Sequence, residues 1–180
     1  MSASPRIRQG DAVAASGGRF DSTRGSGKTH GALDLNALLG DPVFAARDGR
    51  VAIAEKNWGA MGNTVIIDHG DGDYTVYGHL DTVSVAIGDI KQGTRVGTVG
   101  YTGNAADLKV KGLPPHLHFA LIKAGKSGLA EAGKPLTKMK ELGDFWQSLG
   151  ADLTGPVNPG LFFPVGCWTG STTVGAPGES

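Results

Sequence analysis

Four of the chain's five histidines fall in three short segments that also carry the residue types metal and proton chemistry require. His30 and Asp34 bound the stretch His30-Gly-Ala-Leu-Asp34, His79 follows Val76-Tyr77-Gly78, and His116 and His118 flank Leu117 at the start of an apolar run. On an extended strand residues i and i+2 project from one face, so His116 and His118 stand side by side. Two imidazoles so placed repel when both are protonated, and burying them without partners costs free energy. A shared metal ion removes both difficulties. His30 and Asp34 share a face in a helix, and an extended segment bending around a site brings them together equally well. Taken singly, each segment has a plain reading as solvated polar groups or a satisfied turn histidine. Random scatter seldom produces their combination.

A second chemistry competes for the same stretch, because Gly25-Ser26-Gly27-Lys28-Thr29 spells the end of a phosphate-cradling loop. Such a loop needs a glycine five positions before the Gly-Lys pair and a helix directly after the Ser/Thr. Position 22 is Ser22, and the chain beyond Thr29 reads as strands rather than alternating strands and helices. The pentapeptide is a loop, and no affinity for ATP dependent on Lys28 is expected.

The elements that must position these residues are mostly strands. Glycine makes up 30 of 180 residues, well above the usual ~7%, and lies scattered between short β-branched runs. Val51–Ile53, Thr64–Ile67, Tyr74–Tyr77, Thr82–Ile87, Arg95–Val99 and Leu117–Ile122 each read as a strand of a largely antiparallel sheet. His69-Gly-Asp-Gly-Asp73 reads as a hairpin connection. One helix is expected from about 135 to 149, where Leu136, Met139, Leu142, Phe145, Trp146 and Leu149 recur every three or four residues. The segments 103–115 and 121–134 read as loops. Residues 1–15 read as an N-terminal extension, 16–166 as one domain including the helix, and 167–180 as a flexible tail.

Composition narrows the function classes. Seventeen basic and 17 acidic residues cancel, so no long-range field attracts nucleic acid or an anionic membrane. No segment is long and apolar enough to span a bilayer, and the N-terminus shows no signal peptide. The single cysteine, Cys167, cannot form an internal disulfide and has no histidine near it in sequence, so it reads as a structural thiol.

The stretches HGALD (30–34), DPVFAARDGRV (41–51), GNTVIIDHGDGDYTVYGHL (62–80) and PPHLHF (114–119), in this order, closely resemble the lysostaphin/LytM-type zinc metallopeptidases that cleave bacterial peptidoglycan. The resemblance covers about 16–123. It implies a mainly β fold, with an antiparallel core of the duplicated hybrid-motif type and long loops flanking a groove. It also implies that His30, Asp34 and His118 bind one Zn2+ per chain, while His79 and His116 stand beside the metal without ligating it. Two imidazoles and a carboxylate suit a catalytic zinc, since three protein ligands leave a position open whereas four close the shell. There is no His-Glu-x-x-His helix to supply a glutamate base, so the resemblance leaves general base and acid duties to His79 and His116, in either order.

The implied activity is endopeptidase cleavage of peptidoglycan cross-links or stem peptides in the cell envelope, periplasm or wall. Absence of an export signal suits a phage lysin, an injected effector or a trimmed form of a longer chain. A cognate inhibitor or immunity protein fits that setting but is not visible in the sequence. The alternative is a catalytically silent member of the family that binds and activates other wall hydrolases. Such members usually lack one or more of the five residues, and all five are present here.

Overall fold

The computed structural model describes Thr23, residues 30–70 and 72–123, and the strand Gly155–Val157. Among the described residues nine strands form one sheet: β1 (Leu33–Asn36), β2 (Pro42–Phe44), β3 (Gly49–Glu55), β4 (Asn63–Asp68), β5 (Asp73–Val83), β6 (Gly88–Ile90), β7 (Arg95–Val99), β8 (His116–Lys123) and β9 (Gly155–Val157). The main order is β1-β8-β5-β4-β3-β6, with β7 joining β5 to β2 and β9 pairing with β8. Every pairing is antiparallel. Among the described residues no helix is long and apolar enough to cross a membrane.

Alternation explains how the sheet is buried. Leu117, Phe119 and Leu121 of β8 join Tyr77, Val65 and Ile67 in a core that also takes Leu33, Leu35, Val96 and Val99. The intervening Ala120 and Ile122 pack with Val76, Tyr74, Ile66 and Trp58 on the opposite face. β4 is buried along its whole length, which is why Thr64–Ile67 reads as a continuous apolar run rather than an alternating one. The His69–Asp73 connection forms a hairpin closed by His69 N–H donating to the Asp73 carbonyl at 3.0 Å, with Gly70 and Gly72 at φ 82° and 84°.

Several boundaries differ from the sequence reading. The strands expected at Tyr74–Tyr77 and Thr82–Ile87 are one continuous strand, β5, which ends at Val83; Ser84 N–H still donates to the Val96 carbonyl of β7 at 2.9 Å before the chain turns to β6 on the outer edge of β3. β1, β2 and β6 are three or four residues long, too short for alternation to register. The expected loop 103–115 opens with a 3-10 turn, Gly103–Ala105, followed by the five-residue helix α1 (Ala106–Val110). That helix buries no residue, so it has no apolar stripe to betray it. The loop expected from 121 begins later, since β8 runs to Lys123. The helix expected at 135–149, the 1–15 extension, the 25–29 loop, Cys167 and the 167–180 tail lie outside the described residues.

The fifth histidine is structural. His69 Nδ1 donates to the Asp48 carbonyl at 2.8 Å, and its Nε2 lies 2.9 Å from the Thr75 hydroxyl. Thr75 in turn meets the Tyr77 hydroxyl, which accepts the Ala46 N–H at 2.8 Å deep in the core. Tyr77→Phe strands that amide, at about 1–3 kcal/mol. The expected result is a fall in Tm of several degrees by calorimetry; an unchanged Tm contradicts the role given to this hydroxyl.

Candidate metal centre

Two neighbouring strands and one bulge assemble the site. β1 and β8 run antiparallel with Asp34 opposite His118 and Asn36 opposite His116. Because Leu33, Leu35, Leu117 and Phe119 turn into the core, the intervening Asp34, His116 and His118 face the other way. His30 precedes β1 and reaches the same point through irregular chain with a bend at Ala32, not through a helical turn. On the far side of β8, Gly78 stands opposite His118. A Cβ at Gly78 would overlap the Met61 side chain and touch His118 Cβ at 3.5 Å, so glycine here leaves room for Met61 beside the site.

Three donor atoms converge. His30 Nε2 lies 3.2 Å from Asp34 Oδ1, His118 Nδ1 lies 2.9 Å from the same oxygen, and the two nitrogens are 3.4 Å apart. Tetrahedral zinc, with bonds of about 2.0–2.1 Å, separates its ligands by about 3.3 Å. The triangle therefore has the size and chemistry to hold one such ion, and these three residues form the one His/Cys/Asp/Glu group of this kind among the described residues. His116 Nε2 stands farther out, 3.6 Å from Asp34 Oδ1. The His79 ring packs edge-on against His116 and His118, with centroids 4.9 and 5.6 Å away, and its Nδ1 donates to the Thr102 carbonyl at 3.0 Å.

Burial and charge set the protonation states. Burial alone would raise the Asp34 carboxyl, but hydrogen bonds from His118 and His30 and the charges of His118 and His116 outweigh it and hold the group well below the usual carboxylate range. Burial, reinforced by repulsion from His118 and His116, pushes His79 down from 6.5 to about 3 against the pull of Asp34 and Thr102. His79 is therefore neutral at pH 7. The unfolded chain binds this proton near pH 6.5 while the folded chain resists to about 3, so the stability contributed by a neutral His79 is complete above 6.5 and drains as pH falls toward 3. Metal-free protein is expected to lose Tm steadily between pH 7 and 4, and substitution of His79 should flatten that slope; an unaltered slope contradicts the assignment.

Residues 28–128 match the model of Peptidase family M23. The chain belongs to this family. The M23 match contains all five residues of the site. The chain is 37% identical over 98 residues to the peptidoglycan DD-endopeptidase ShyA of Vibrio cholerae, covering 54% of this chain and 21% of that one. Its fold is similar to the crystal structure of the catalytic domain of the prophage-encoded M23 protein EnpA of Enterococcus faecalis, a point mutant, with TM-score 0.53, 25% identity, and coverage of 71% of this chain and 91% of that one. It is also similar to a zinc-containing peptidase of Vibrio cholerae, with TM-score 0.52, 27% identity, and coverage of 68% and 37%. The chain spans between 15% and 21% of the length of the first curated relatives it matches.

Around this cluster stand residues the sequence reading does not single out. Asn36 lies on the face of Asp34, and its buried Oδ1 has no hydrogen-bond partner among the described residues. The i, i+2 rule finds it once β1 is recognised. Thr102 and Asn63 reach the site only through the fold.

Proposed function

We propose that this chain is a zinc-dependent endopeptidase that hydrolyses peptide cross-links or stem peptides of bacterial peptidoglycan. The observation that carries the proposal is the buried triangle of His30 Nε2, Asp34 Oδ1 and His118 Nδ1, its edges 2.9–3.4 Å, with two further imidazoles against it. His30, Asp34 and His118 are the proposed ligands of one zinc. Bound there, zinc lowers the pKa of a water to about 7 and polarises the scissile carbonyl.

The remaining work falls to His79 and His116. His116 Nε2 stands at the rim of the triangle, placed to exchange a proton with the attacking water or the leaving amine. Neutral His79, its Nδ1–H held by Thr102, keeps an unprotonated Nε2. In this reading one of the pair accepts the water proton, and the other protonates the leaving amine or steadies the developing oxyanion.

The wall substrate and the setting in the cell envelope rest on the likeness to a peptidoglycan endopeptidase and on the M23 domain itself. A silent module that activates other hydrolases would need none of the five residues, and their joint presence favours the enzyme. Digestion of purified peptidoglycans of differing cross-bridge chemistry, with mass spectrometry of the products, tests the proposal. Soluble fragments carrying new amino and carboxyl ends at one defined bond are expected. A folded, zinc-loaded chain that opens no wall type sinks the proposal and favours the module.

A further inference from the structure

His79 occupies a backbone position that a non-glycine residue rarely adopts. Its φ is 60°, and among the described residues only Asn57 is another non-glycine residue with positive φ. The register shows why. Asn63 faces Leu80 and Val65 faces Tyr77, so Gly78 and His79 together oppose the single Thr64, a β-bulge that re-aims the side chain it carries. A left-handed residue in a bulge persists only where its surroundings over-determine it.

Thr102 supplies that determination. Its hydroxyl donates to the Leu80 carbonyl at 2.7 Å and accepts the Asn63 N–H at 2.9 Å, thereby joining β4 to β5 across the bulge. Asn63 Nδ2 closes the ring by donating to the Asp81 carbonyl at 2.9 Å. The Thr102 carbonyl then accepts His79 Nδ1–H at 3.0 Å. Two glycines permit the approach, since a Cβ on Gly62 would overlap Thr102, and one on Gly103 would overlap the Ala60 carbonyl and the Gly62 nitrogen.

We infer that Thr102 is a positioning residue for His79: its hydroxyl clasps the bulge so that its carbonyl selects the Nδ1–H tautomer and leaves Nε2 as the nitrogen available to the site. A carbonyl can only accept, so the nitrogen facing it must carry the proton. The inference rests on the acid–base role proposed for His79, but its structural part can be read without turnover.

The test compares the full zinc-loaded chain with Thr102→Val, which keeps the shape and removes the hydroxyl, and Thr102→Ser, which restores it. Long-range 1H–15N NMR reports the His79 tautomer, and steady-state digestion of peptidoglycan separates kcat from KM. The wild type is expected to hold His79 as Nδ1–H. Thr102→Val should mix the tautomers and lower kcat on the order of tenfold or more, with zinc content and KM unchanged, and Thr102→Ser should recover both readouts. A wild type with His79 as Nε2–H overturns the inference even if Thr102→Val fails to fold. So does a Thr102→Val chain with the wild-type tautomer and kcat. A wild-type chain that cleaves no wall but shows the tautomer shift in Thr102→Val defeats the proposed activity and upholds the positioning.

Discussion

Alanine at His116 or at His79 is expected to lower kcat for peptidoglycan cleavage by about 10²–10⁴-fold, the range a general acid or base supplies, with one zinc still bound per chain. The geometry separates these two residues from the three proposed ligands. His116 Nε2 is 3.6 Å from Asp34 Oδ1, outside the 2.9–3.4 Å triangle, and the Nδ1 of His79 is committed to Thr102. Both rings are buried, and each replacement leaves space beside the triangle, so thermal melting should accompany the kinetics to show that the chain still folds. If His116→Ala loses its zinc in metal analysis, His116 is a ligand and the division of roles is wrong.

Replacement of Asp34 by alanine is expected to abolish both zinc retention and activity. Asp34 Oδ1 is the atom shared by the contacts to His30 and His118, and it is the only negative charge in the triangle. Without it, the two imidazoles face each other with no carboxylate between them, and a dication placed there gains no charge compensation. The same logic predicts that chelation weakens the wild type. A ligand present at about a thousand times its Kd stabilises by about 4.1 kcal/mol, which corresponds to a Tm shift of roughly 10 °C for a chain of this size. Asp34→Ala should melt at the same temperature with and without chelator. A chelator-sensitive Asp34→Ala chain would place the metal elsewhere.

The site is more legible in the sequence than its supports. His116 and His118 share a face because β8 has a two-residue period, and a histidine pair in an apolar run is conspicuous in any sequence. Strands deep in the sheet, such as Thr64–Ile67 and Leu117–Ile122, announce themselves by β-branched and apolar content. β1 does not, because Leu33-Asp34-Leu35-Asn36 is only four residues long. Helix α1 escapes for a related reason, since it fully buries no residue. The left-handed conformation of His79 arises from a register shift against β4, and its partner Thr102 lies 23 residues away. Neither periodicity nor composition carries such information. Lys28 and the glycines before it resemble a phosphate loop only while read alone. Ser22 in place of the first glycine, and strands that are paired antiparallel throughout the described residues, count against it.

X-ray absorption at the zinc edge of the purified chain tests the central claim most directly. It should show one zinc per chain bound by two imidazole nitrogens and one carboxylate oxygen at about 2.0–2.1 Å, with a solvent oxygen completing four-coordination. A shell with three imidazoles, or a chain that folds with His30, Asp34 and His118 intact and takes up no stoichiometric zinc, would contradict it.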